Sequence, residues 1–156
     1  MQKVLDWEIA FDSFVEKNKN KPFEWGTWDC CLFSNALIKN ITGEDLIPKT
    51  LKWKDEESAM QSIKKYGGTL LQSIEKACKS KKLKEINKNY ITKGDLVVYK
   101  EQSELVGISD GMNILTPTDD CIGVKNNVEI LKCCGWWSLY YICSYSYRWC
   151  YRKNDL

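Results

Sequence analysis

The hydrophobic pattern of this chain changes period once, at Gly94, and that change restricts the fold more than any other feature. Before it, apolar residues recur at helical spacing. Phe11, Phe14 and Val15 share a face with Trp7, which predicts an amphipathic helix ending in the Lys/Asn stretch before Pro22. A second helix is predicted from about Cys30 to Ile41, because Cys30, Phe33, Leu37 and Ile41 can share one side. Asp29 is placed to cap it and Gly43 to end it. The Asp55-Glu56-Glu57 cluster opens a third helix through Met60 and Ile63, stopped by Gly67-Gly68, and a shorter fourth covers Leu70 to Cys78.

After Gly94 the period is two. Asp95 to Tyr99 and Leu105 to Ile108 read as short buried strands, and Asp110-Gly111 marks a hairpin turn into Met112 to Leu115. Cys121 to Val124, Val128 to Cys133 and the aromatic stretch Ser138 to Trp149 complete the strand-like part. Helices first and strands second define an α+β fold, with N-terminal helices packed on a C-terminal antiparallel sheet. The chain has 156 residues and shows no repeat or linker, so a single domain over 1–156 is expected.

Composition then removes whole classes of function. There is no histidine, which excludes ordinary Cys-His and Ser-His-Asp catalysis and any imidazole metal ligand. Lys plus Arg is 23 against 21 for Asp plus Glu, a net charge of +2 that calls for no strongly charged partner. The basic run Lys79-Ser80-Lys81-Lys82-Leu83-Lys84 lacks an aromatic platform or arginine cluster, so it reads as a solvated helix end and no specific nucleic-acid binding is expected. No apolar run approaches the roughly 20 residues of a membrane span.

Eight cysteines invite a disulfide or zinc reading: Cys30, Cys31, Cys78, Cys121, Cys133, Cys134, Cys143 and Cys150. Asp6, Glu8 and Asp12 interrupt the stretch where a signal peptide would need an apolar core, so export through a signal peptide is not expected and the thiols should be reduced. The cysteines come partly as adjacent pairs with no CxxC knuckle, which argues against structural zinc. No metal and no cofactor is expected.

Two stretches resemble a known family. Trp25-Gly26-Thr27-Trp28-Asp29-Cys30-Cys31-Leu32-Phe33 resembles the nucleophile segment of NlpC-like, papain-fold cysteine peptidases, where an Asp-Cys pair follows a Gly and starts a helix. Gly94-Asp95-Leu96-Val97-Val98-Tyr99 resembles the first sheet strand of that fold. Leu105-Val106-Gly107-Ile108 resembles the next, which begins with the catalytic His in active members. The combination with Thr42-Gly43-Glu44-Asp45 is similar to a largely phage-encoded branch carrying a Trp-Gly-x-x-Asp-Cys-Cys-Leu-Phe signature and a Thr-Gly-x-Asp close behind.

The resemblance implies a nucleophile position at Cys30 and a general-base position at Leu105. Leucine neither takes the thiol proton nor returns it to a leaving group, so the implied site is disabled. Cys31 is expected to point elsewhere on its helix, into the core, and Cys30 to be half-buried. Trp25 and Trp28 flank the site and either line a cleft or anchor the loop. Trp136 and Trp137 are adjacent aromatics that cannot both enter one side of a strand, so either one is exposed as a binding anchor or a loop packs both rings internally.

Three functions follow from these readings. The first is a catalytically inactive NlpC-like domain, a structural phage virion component of the tail or connector region, partnered by other virion proteins or a multi-copy assembly. Its place would be the virion or the host cytoplasm. The second is a cysteine amidase, peptidase or acyltransferase acting on cell-wall peptides, with Asp29, Asp110 or a deprotonated Tyr as an atypical base. The third is a small binding module acting on a host protein.

Overall fold

The structure, a computed structural model, describes residues 1–136. Four helices come first: α1 (Trp7–Asn18), α2 (Cys30–Thr42), α3 (Glu56–Tyr66) and α4 (Leu70–Ser80). Six strands follow: β1 (Lys84–Glu85), β2 (Leu96–Lys100), β3 (Glu104–Ser109), β4 (Ile114–Pro117), β5 (Ile122–Lys125) and β6 (Glu129–Gly135). They form one antiparallel sheet in the order β1-β6-β2-β3-β4-β5. The fold is α+β, as the change of period at Gly94 predicts.

Local chemistry explains the helix limits. The Asp29 carboxylate accepts from the Cys31 and Leu32 amides at the start of α2, and Gly43 closes that helix in the left-handed region at φ 79°. Capping boxes open the next two helices, Asp55 with Ser58 for α3 and Thr69 with Gln72 for α4. The helix starts are therefore fixed by side chains that supply acceptors for otherwise orphaned amides.

The main core lies between the helices and one face of the sheet. Phe33, Leu37, Ile38 and Ile41 of α2 are fully buried against Leu96 and Val98 of β2 and Val106 and Ile108 of β3. The alternation of β2 sends Val97 and Tyr99 to the opposite face, where they join Ile114 and Cys133 in a second cluster. A bulge between Val98 and Tyr99 in the pairing with β6 skips one residue of that strand: Val98 faces Lys132 and Tyr99 faces Ile130.

Several sequence-based limits shift. The basic run after α4 is only partly a helix end: α4 stops at Ser80, Leu83 is buried, and Lys84–Glu85 pair with β6 as β1. Residues Lys88–Tyr90 add a short 3₁₀ turn. Met112 belongs to the hairpin turn rather than to β4, and Cys121 precedes β5. The expected strand from Ser138 to Trp149 lies outside the described residues, as do Trp137, Cys143 and Cys150.

Candidate functional site

The stretch from Trp25 to Phe33 folds around one carboxylate. Residues 24–28 make a tight loop in which Trp28 N–H donates to the Glu24 carbonyl at 2.8 Å, and the Thr27 hydroxyl donates to the Glu24 carboxylate. Gly26 turns the chain at φ 76°, and a Cβ there would stand 2.7 Å from the Trp53 carbonyl oxygen and the Lys54 Cα. Glycine is required on both counts. Asp29 follows, 1% exposed, and takes four donors. Its Oδ1 accepts from Cys31 N–H at 3.1 Å and Leu32 N–H at 3.0 Å; its Oδ2 accepts from Gly26 N–H at 3.1 Å and Trp53 Nε1 at 2.6 Å. The buried charge is thereby satisfied, and a loop, a helix and a distant tryptophan are tied to one residue.

Cys30 opens α2 and is 9% exposed, so it is buried rather than half-buried. The Cys31 thiol beside it donates toward its sulfur and holds Cys30 below the ordinary thiol range; burial opposes this, and the Val106 amide of β3 adds to it. Cys31 is held well above that range by the same hydrogen bond and by burial. Cys31 packs into the main core, as expected, while its thiol still interacts with the Cys30 sulfur. Of the pair, Cys30 is the thiol that ionises first.

Among the described residues, none of the candidate bases is free to take a proton from Cys30. Leu105, at the position where the resemblance expects a base, is half-buried at the margin of both hydrophobic clusters and pairs across the sheet with Tyr99. Asp29 has both oxygens committed to N–H donors. Asp110 is occupied by its own hairpin, accepting from Met112 N–H at 2.8 Å and Asn113 N–H at 2.7 Å. Tyr99 is fully buried, and burial pushes its hydroxyl up to about 12. It faces Thr116 without a hydrogen bond of normal geometry. A phenol so placed stays protonated near neutrality.

The tryptophans separate into two groups. Trp28 is buried, stacked with Phe14 at a centroid distance of 6.0 Å and edge-on to Phe33 at 5.5 Å, with the Lys21 ammonium 3.9 Å from its ring. It anchors the loop. Trp25 is half-buried and edge-on to Phe23 at 5.0 Å. Trp136 is also half-buried and sits elsewhere, with the Lys3 ammonium 5.0 Å from its ring and 3.5 Å from that of Trp7.

Over residues 2–137 the sequence matches the family described as a domain of unknown function, DUF6950. The chain belongs to that family. No curated protein matches it. Within this DUF6950 chain the second signature stretch has a mechanical role. Thr42 donates to the Ile38 carbonyl at 2.7 Å, Gly43 ends α2, and Asp45 accepts from Asn35 and Lys39 at 3.0 Å each. Asn35 Oδ1 in turn accepts from the Leu46 and Ile47 amides at 2.8 Å. Asn35 and Trp53 are the site residues that sequence reasoning missed. Trp53 stands between two lysines in a stretch without periodicity, and a lone aromatic in such a stretch is the one available signal.

Ile47, Pro48, Leu51 and Trp53 line a half-open apolar cavity of about 40 Å³ together with Cys31, Ile63, Tyr66 and Ile74. Cys30 does not line it. Among the described residues, no group of three or more His, Cys, Asp or Glu side chains is arranged to hold a metal ion.

Proposed function

We propose that this DUF6950 chain is an NlpC-like, papain-fold domain without peptidase activity, serving as a structural component of a phage virion in the tail or connector region. The observation that carries the first half is the surroundings of Cys30. Cys30 begins α2 beside the Val106 amide of β3, which supports the reading, yet the position where the resemblance expects a base is Leu105. A helix N-terminus and two hydrogen-bond donors favour thiolate, but a thiolate without an acid to protonate the leaving group does not complete amide cleavage. The virion assignment is supported by the Trp-Gly-x-x-Asp-Cys-Cys-Leu-Phe and Thr-Gly-x-Asp signatures alone. Both stretches here serve packing and capping, which suits reuse of an enzyme scaffold as an assembly module.

The depressed Cys30 thiol favours a second reading, an amidase or acyltransferase acting on cell-wall peptides. One pair of experiments separates the two. Mass spectrometry of purified particles from the source should find the chain with other virion proteins in stoichiometric amounts. Peptidoglycan fragments incubated with the protein should remain intact. Hydrolysis that disappears in Cys30→Ala would establish the enzyme, and absence from particles would remove the virion role.

A further inference from the structure

We propose that residues 44–55, the connection between α2 and α3, form a strap that closes over the first turn of α2 and opens as a unit, with the Trp53–Asp29 hydrogen bond as its latch. The inference stands whether or not the scaffold is a disabled peptidase.

Its attachments are few and lie at its ends. Among the described residues, the backbone of 46–53 makes one main-chain hydrogen bond, from Leu51 N–H to the Pro48 carbonyl at 2.9 Å, which is internal to the strap. At one end Asn35 holds the Leu46 and Ile47 amides, and Asp45 holds Asn35 and Lys39. At the other, Trp53 Nε1 donates to Asp29 at 2.6 Å, and the Ser62 hydroxyl donates to the Lys52 carbonyl at 3.3 Å. Only Leu46 is buried along its length between Gly43 and Lys54.

Its inner face is not fully packed either, since Ile47, Pro48, Leu51 and Trp53 help to line the half-open apolar cavity of about 40 Å³. A segment with few main-chain ties and a half-open cavity along it opens at lower free energy than the core it borders. The latch residue is shared with the helix cap, so the strap closes only when the loop at Gly26 and the first turn of α2 are formed. What it conceals is Cys31, which lines the cavity and is 8% exposed.

Buried thiols on different elements make the test internal to one protein. Both thiols belong to the main core, but Cys31 also lines the cavity beside the strap, whereas Cys78 on α4, 2% exposed, does not. Alkylation by iodoacetamide is followed at each cysteine by peptide mass spectrometry, across urea concentrations well below the unfolding midpoint. Labelling of Cys31 should be nearly independent of urea, as expected for a small local opening, while labelling of Cys78 should rise steeply with it. In Trp53→Phe, which keeps an aromatic ring and removes the N–H donor, the Cys31 rate should rise about 10-fold or more with the Cys78 rate unchanged. Equal urea slopes for the two thiols in the wild-type protein would overturn the proposal. If Trp53→Phe fails to fold, the wild-type slopes decide alone.

Discussion

Replacing Asp29 with asparagine tests whether one carboxylate organises the site. Asparagine keeps the shape and one carbonyl oxygen, but both carboxylate oxygens of Asp29 face N–H groups: Cys31 and Leu32 on one, Gly26 and Trp53 on the other. Either orientation of the amide points its NH₂ at two donors. Two hydrogen bonds to a charged acceptor are therefore lost, each contributing about 1.5–3 kcal/mol. A loss of about 3–6 kcal/mol is expected, a large share of the roughly 5–15 kcal/mol that stabilises a domain. Urea unfolding followed by tryptophan fluorescence reads it directly, and thermal unfolding should show a drop of about 10 °C or more. A double-mutant cycle with Trp53→Phe isolates the latch, and its coupling energy should exceed about 1 kcal/mol. A stability for Asp29→Asn within about 1 kcal/mol of the wild type would refute the assignment of Asp29 as the organising residue.

Three further outcomes follow from the geometry. Gly26→Ala should lower the urea midpoint by an amount equivalent to about 2 kcal/mol or more, because φ 76° disfavours a side chain and the new Cβ would meet the backbone of Trp53 and Lys54. Burial lowers the Lys3 ammonium to about 8, so the unfolded chain binds that proton more tightly than the folded one. The destabilisation is full below pH 8 and relieved as pH rises toward the ordinary lysine range, so wild type should gain stability relative to Lys3→Met between about pH 8 and 10. Leu105→His should raise the iodoacetamide reactivity of Cys30 at neutral pH if the base position is aligned correctly, and an unchanged rate in a folded variant would break that alignment.

The parts of this fold legible in the sequence are those fixed by near neighbours. Asp29 and Gly43 bracket α2 through bonds that span at most four residues, and the alternation after Gly94 sets which faces of β2 and β3 meet the helices. The position of Cys30 at the start of a helix follows from the same short-range rules. Its burial does not, because Val106 and the strap come from distant sequence. The partnership of Asp29 with Trp53 joins residues with no common periodicity, so no pattern announces it. The same holds for β1: Lys84–Glu85 are a strand only because the end of β6 lies beside them.

The place of β6 in the sheet has a consequence for how the chain reaches this state on the ribosome. β2, β3, β4 and β5 follow one another as an antiparallel meander and can pair as soon as each emerges. β6 emerges after all of them, yet it inserts between β1 and β2. Until Glu129–Gly135 appear, the meander carries a bare edge along Leu96–Lys100 while β1 has no strand to join. Such an edge is a template for pairing with another chain. Synthesis that stalls before Glu129 should therefore leave a self-associating intermediate, and the late pairing of β6 with β2 is the slow, non-local step that ends that exposure.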